Sequence, residues 1–201
     1  MLRIIAGEYR SRLLRTPPGK DVTRPMAGRV KESVFNLLRG WIEDASVLDL
    51  FAGVGNVGLE AISRGARSVV MVEQHRPTFR LLQENIEALG CEDRAIAWQG
   101  DALSSFVFER AQQPIDVVFL DPPYRMMHDD VQRQAIIAQM QRAIPSLNAQ
   151  AILVLRSPLM PTEINFDIAD FDGPEMHDYG HDMQVRLYMH RAARMQVDAN
   201  E

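Results

Sequence analysis

From residue 47 onward, short apolar runs alternate with segments whose apolar residues recur three or four positions apart. Val47–Phe51, Ser68–Glu73, Arg94–Trp98, Ile115–Leu120 and Ala151–Leu155 read as strands. Between them lie helix-like stretches: Val57 to Ser63, the Phe79, Leu82, Ile86, Leu89 series after Pro77, Leu103 to Arg110, and Val131 to Ile144, stopped near Pro145. Strand runs that are apolar throughout, linked by helices through short connectors, predict a parallel sheet covered on both faces. Past Pro161 the alternation stops. Ile164 to Phe171 and Gln184 to His190 are expected to be two strands of a closing antiparallel hairpin, joined by a polar loop that contains Gly and Pro.

The first 45 residues follow another pattern. Arg3–Ala6 and Arg12–Leu14 flank Gly7-Glu8-Tyr9-Arg10-Ser11, which predicts a small β-hairpin; Thr16-Pro17-Pro18-Gly19 then forms a link. Val30, Val34, Leu37, Leu38 and Trp41 mark one face of an amphipathic helix. The chain therefore divides into a hairpin-and-helix extension over 1–45, an α/β domain over 46–191 and a polar tail over 192–201.

Charge separates these parts further. Residues 1–39 hold nine Lys/Arg against three acids, although the whole chain of 201 residues has a net charge of −5. A basic segment on an acidic body suits phosphate binding, with the chemistry housed elsewhere. At 46% hydrophobic and 24% charged the composition is that of a globular protein. A single cysteine, Cys91, excludes an internal disulfide, and no Cys/His cluster suggests zinc. His177 and His181 are spaced like ligands but read as a solvated loop with Asp178 and Asp182, so no metal is expected. No apolar run suits a signal peptide or a bilayer span, and a cytoplasmic location is expected.

The candidate chemistry sits where strands end. Asp121-Pro122-Pro123-Tyr124 closes the run Ile115–Leu120 with an acceptor, a stiffened backbone and a flat ring, the parts needed to hold a planar base carrying an exocyclic amine. After the first strand, Asp49-Leu50-Phe51-Ala52-Gly53-Val54-Gly55-Asn56-Val57-Gly58 matches the dinucleotide fingerprint at Gly53, Gly55 and Gly58. NAD and S-adenosylmethionine compete for such a loop. A carboxylate four residues before Gly53 suits a cationic amino group and so favours S-adenosylmethionine. Glu73, ending the second strand, fits ribose hydroxyls in either case. Asp101, ending the third, can accept from an adenine amine or cap the following segment.

The glycine loop followed by Asp121-Pro122-Pro123-Tyr124 resembles the amino-methylating class I methyltransferases. Arg24-Pro25 and Arg29-Val30-Lys31-Glu32-Ser33-Val34-Phe35-Asn36-Leu37-Leu38 narrow this to a resemblance to the RsmD family, bacterial small-subunit ribosomal RNA (guanine-N2)-methyltransferases. Arg3–Gly7 and Val185–Tyr188 fit as well, so the likeness spans nearly the whole chain. Where members commonly have Thr-Thr-Asp, this chain has Met26-Ala27-Gly28.

The resemblance implies a Rossmann-like, mostly parallel seven-stranded sheet and S-adenosylmethionine as cofactor. It assigns Asp49, Phe51, Ala52, Gly53 and Gly55 to the methionine portion, Glu73 to ribose, and Gln74, Asp101 and Ala102 to the adenine. Asp121, Pro122, Pro123 and Tyr124 would hold the target base. Arg10, Arg12, Arg24, Arg29 and Lys31 are candidates for RNA phosphate contacts, and a monomer acting on ribosomal RNA, free or within an assembling subunit, is expected. Three other readings stay open: an adenine-N6 methylase, a protein-glutamine methylase, and a catalytically silent RNA-binding factor with the same fold.

Overall fold

The computed structural model describes residues 2–18, 26, 28–161 and 164–191. Its strands are β1 (Ser46–Leu50), β2 (Ser68–Glu73), β3 (Ala95–Gln99), β4 (Ile115–Leu120), β5 (Leu147–Pro158), β6 (Phe171–Tyr179) and β7 (Met183–His190). They form one sheet in the order β3-β2-β1-β4-β5-β7-β6. β1 to β5 run parallel, and β7 pairs antiparallel with both β5 and β6. The chain first runs outward from β1 to β3, then returns to place β4 on the other side of β1. That reversal leaves a crevice beyond the carboxyl ends of β1 and β4, where open α/β sheets bind ligands.

The helices are α1 (Gly28–Leu37), α2 (Gly58–Ser63), α3 (Arg76–Leu89), α4 (Val107–Arg110), α5 (Tyr124–His128) and α6 (Asp130–Ala143). Alternate strand residues sort into two cores. Val47, Met71, Phe119 and Val154 pack with Val34 and Phe35 of α1, Leu59 of α2 and Leu82 of α3. Leu48, Leu120, Leu153 and Tyr188 pack with Phe108 of α4, Met127 of α5 and Ile136 of α6. Both faces are thus covered, and Ile4, Leu14 and Met26 share the first core with the sheet.

The expected N-terminal hairpin is reduced to one antiparallel bridge, Arg3 to Leu13. Its turn docks on the carboxyl end of α2, where Glu8 N donates to Ser63 O at 2.7 Å and Tyr9 N to Ser63 Oγ at 2.9 Å. This contact satisfies a carbonyl with no partner inside its own helix. Gly7 makes the approach possible: it sits at φ +82°, and a Cβ there would fall 1.7 Å from Ser63 O.

Two expected elements differ. The helix over Leu103 to Arg110 survives only as α4. Ahead of it, Leu103 N donates to Asp101 Oδ1 and Phe106 N to Ser104 Oγ, local bonds that compete with helix formation. The strand expected over 164–171 is absent from the described residues 164–170, where Phe166 and Ile168 instead bury into the second core. The sixth strand is β6, the stretch read as a polar loop. As an edge strand it tolerates charge and proline, and a register shift between Asp172 and Glu175 absorbs Gly173-Pro174.

Candidate active site

Asp49 lies near the carboxyl end of β1, one residue before Leu50, and is 1% exposed. The chain then turns sharply, with Phe51 in the left-handed region at φ +68°, an uncommon setting for a bulky residue. Ala52 N returns to Val72 O at 2.9 Å, and Gly53 N donates to Glu73 Oε2 at 3.0 Å. Asn85 of α3 props the loop from behind, its Nδ2 donating to Val54 O at 2.9 Å.

Gly58 N, opening α2, donates to Asp49 Oδ2 at 2.8 Å. The other carboxylate oxygen, Oδ1, is buried with no hydrogen-bond partner among the described residues. Burial pushes the Asp49 carboxyl well above the ordinary carboxylate range; the Gly58 N–H opposes this, while Asp121 and Glu73 add to it. An orphaned buried acceptor is costly unless a donor arrives. The amino group of S-adenosylmethionine fits that vacancy of bonding. A pyrophosphate does not, because Asp49 already takes the first helix N–H and its free oxygen offers an anion no donor.

Glu73 ends β2 with Oε2 on Gly53 N and Oε1 on His75 N at 2.6 Å. Each oxygen keeps lone-pair capacity for a ribose hydroxyl. Gln74, next along, is exposed, as is Asp101 beyond β3. Asp101 makes an Asx turn onto Leu103 N at 2.9 Å rather than capping a helix. Ala102 is buried, and its carbonyl accepts from Gln139 Nε2 of α6 at 2.9 Å, which braces this end of the crevice.

Across the switch point, Asp49 pairs in register with Phe119 of β4, so Asp49 and Asp121 share a face. Pro122 is buried and Tyr124 half-buried at the start of α5. Sequence reasoning missed Arg156. It follows Leu155, which pairs with Leu120, so it stands beside Asp121 on the same face. Arg156 Nε donates to Asp121 Oδ1, and its guanidinium carbon lies 5.2 Å from the Tyr124 ring centroid. Burial raises the Asp121 carboxyl above the ordinary range against the pull of Arg156. The signal was available: an ionised residue ending an apolar run, in register with Asp121.

Of the basic candidates, Arg10 and Arg29 are exposed and line a cavity of about 560 Å³ with Arg3, Met26 and Asn56. Arg12 is exposed and donates to Ala88 O at 2.8 Å. Arg24 lies outside the described residues. Lys31 must be withdrawn as a phosphate contact. It is 1% exposed, with Nζ 3.0 Å from Glu60 Oε2 and bonded to Arg3 O and to Asn56 O and Oδ1. Glu60, also fully buried, accepts from Ile5 N, Ala6 N and Arg64 Nε. The network ties the backbone of Arg3, Ile5 and Ala6, α1 and the glycine loop to α2. Among the described residues no cluster of His, Cys, Asp or Glu could hold a metal ion, and no helix is long and apolar enough to cross a membrane.

The family model described as Conserved hypothetical protein 95 matches residues 2–187. The chain is 38% identical over 136 residues to the ribosomal RNA small subunit methyltransferase D of Haemophilus influenzae, covering 67% of this chain and 68% of that one. The protein of the same name from Escherichia coli is 38% identical over 124 residues, covering 62% and 61%. The chain belongs to the RsmD family. A solved Escherichia coli structure described as a methyltransferase, yhhF, superposes with a TM-score of 0.75 at 29% identity, over 95% of this chain and 98% of that one. An RNA methyltransferase from Salinibacter ruber, solved with S-adenosyl-L-homocysteine, shares the fold alone, at 18% identity, TM-score 0.56, over 83% and 93% of the two chains. The sheet order and antiparallel end of this RsmD-family chain are accordingly those of class I methyltransferases.

Proposed function

We propose that the protein transfers a methyl group from S-adenosylmethionine to the exocyclic N2 amine of a guanine in small-subunit ribosomal RNA. The observation that carries this reading is the pair of carboxylates on one sheet face: Asp49, with an orphaned buried oxygen, and Asp121, opening the Pro-Pro-Tyr segment. The family, whose relatives are named as small-subunit ribosomal RNA methyltransferases, supplies the substrate class.

The cofactor, when bound, supplies an activated methyl on a sulfonium. Asp49 Oδ1 accepts from its amino group, with Phe51, Ala52, Gly53 and Gly55 walling the methionine portion. Glu73 takes the ribose hydroxyls, and Gln74, Asp101 and Ala102 border the adenine. Guanine N2 is a weak nucleophile because its lone pair is delocalised into the ring. Asp121 and the Pro122 carbonyl, accepting hydrogen bonds from its two N–H groups, favour the pyramidal nitrogen that attacks, and the methylated nitrogen sheds one proton to Asp121 and on to solvent; such preplaced acceptors act without reorganisation. Pro123 stiffens the turn, and Tyr124 stacks on the base, which leaves its helix to enter the crevice. That stacking is worth about 1–3 kcal/mol.

Residues 1–45 act as the RNA-binding extension of the domain over 46–191, with Arg10, Arg12, Arg29 and, by sequence, Arg24 meeting phosphates. The protein works as a cytoplasmic monomer. The test is to incubate it with labelled S-adenosylmethionine and small subunits lacking the modification, then map the product by mass spectrometry. One N2-methylguanine is expected. The Asp121→Ala variant should lose transfer yet bind cofactor by calorimetry. Label on adenine N6 or on DNA would overturn the substrate, and full turnover by Asp121→Ala would overturn the mechanism.

A further inference from the structure

Arg156 is 4% exposed, on the strand next to the Asp-Pro-Pro-Tyr segment, and the proposed chemistry gives it no task. Its contacts reach two parts of that segment at once. Nε holds Asp121 Oδ1, while the guanidinium lies over the ring of Tyr124, three residues further on. A buried ionised side chain is expensive, and a methionine or leucine of similar size would bury in a strand at lower cost. Burying a charge here therefore points to a task beyond filling the strand.

Strands fix Asp121 only up to its Cα; the carboxylate plane and the tilt of Tyr124 are set by side-chain torsions. A planar guanidinium can fix both, because it donates in its plane and packs by its face. We propose that Arg156 is a positioning residue, holding the Asp121 carboxylate and the Tyr124 ring in the relative placement that a planar amine-bearing base requires. This rests on the base-methylating reading above. With Oδ1 engaged by Arg156, Oδ2 is the oxygen left to accept from the substrate amine. Among the described residues, the charged groups around Asp121 are Arg156 from β5, Asp49 from β1 and, beyond Asp49, Glu73 from β2; Tyr124 stands on the same segment. Among these groups Arg156 is the cation, and it pulls the Asp121 carboxyl back down against the effect of burial.

Wild type, Arg156→Met and Arg156→Lys are compared in three measurements: cofactor affinity by calorimetry, single-turnover methyl transfer to small subunits across pH, and the Asp121 titration by carboxyl-carbon NMR. Arg156→Met should bind cofactor as wild type does and transfer methyl about 100-fold more slowly, the scale of a misplacement near 1 Å. Its acidic limb should move up by about 1–3 pH units, as expected when an adjacent cation is lost. Arg156→Lys, which keeps charge but not the planar fork, should hold the acidic limb near wild type and recover only part of the rate. A wild-type rate and profile in Arg156→Met would overturn the proposal. So would a rate loss matched by a loss of cofactor affinity, since that marks a general structural defect. The Asp121 titration needs no substrate, so it stands even if ribosomal RNA proves the wrong acceptor: a raised midpoint in Arg156→Met supports the clamp, and equal midpoints refute it. Should Arg156→Met fail to fold, the same titration in Arg156→Lys decides, with a midpoint near wild type expected and one shifted as for a lost cation refuting the clamp.

Discussion

Replacing Lys31 by Met removes the ammonium at the centre of the buried network while keeping most of the side-chain volume. Lys31 Nζ is 3.0 Å from Glu60 Oε2 and 2.9–3.1 Å from three further oxygens, on Arg3 and Asn56. Breaking a buried ion pair by deleting one partner typically costs about 3–5 kcal/mol. Two features set the value here. Glu60 keeps Arg64 Nε and the Ile5 and Ala6 amides, so its charge is not abandoned, which favours the low end. Against that, Arg3 O, Asn56 O and Asn56 Oδ1 lose their donor at once. A loss of about 3–4 kcal/mol follows, or on the order of 10 °C in melting midpoint for a domain of this size. Urea and thermal unfolding read it directly. Arg29→Ala, an exposed change on the same helix, should alter stability by about 0.5 kcal/mol or less. The RNA salt dependence separates the two further. Loss of Arg10 and Arg29 should flatten the slope by roughly 0.7–0.9 per phosphate contact removed, whereas folded Lys31→Met should leave it unchanged. A melting midpoint within about 2 °C of wild type would refute the buried network, and a flattened slope in Lys31→Met would return that lysine to the surface.

Two other variants test the site and the docked hairpin. Burial raises the Asp49 carboxyl, so its contribution to stability is full below the ordinary carboxylate value and is lost as pH rises through the folded one. Asp49→Asn should therefore raise apo stability at neutral pH by about 0.5–2 kcal/mol in urea unfolding, while weakening cofactor binding; wild-type affinity should rise with pH across the same window, and pH-independent calorimetry would count against the amino-group contact. Gly7→Ala puts a Cβ 1.7 Å from Ser63 O and cannot be accommodated without lifting the turn, for about 2–4 kcal/mol in lost bonds and strain; a urea midpoint equal to wild type would show that the hairpin does not dock there.

How far the sequence carried depended on whether a residue's signal was local. β2 and β4 were legible to the residue, because buried parallel strands are apolar on both faces and end abruptly at an acid. The Glu73 and Asp121 positions followed from those same endings, and Asp49 from the apolar run that forms β1. β6 was not legible, since an edge strand paired on one side needs little apolar sequence, and Phe166 and Ile168 supplied a competing apolar run. Lys31 was misread because helix periodicity reports a face, not what packs on it. Its burial depends on Glu60, 29 positions away, which carries no apolar mark. Arg156 was missed because strand-end acids were weighed as ligand holders while strand-end bases were not.

Three irregularities of this chain meet in one place. Phe51 holds a left-handed backbone, Asp49 keeps an oxygen without a donor, and Asp121 carries its charge into a nearly closed site against Arg156. Each costs stability on its own, and all three lie at the carboxyl ends of β1 and β4. The ends of the two long helices, by contrast, follow their local rules: α3 closes on Gly90 in the left-handed conformation, and Asp129 caps α6 through Gln132 N. Strain and unpaired polar groups persist only where surrounding structure over-determines them, and such places are where ligands repay the cost. The Lys31 network, in which every group is satisfied, supplies the over-determination. It anchors Asn56 in the glycine loop and, through Glu60, the helix whose first amide grips Asp49. The basic extension and the crevice are therefore joined by one buried lattice.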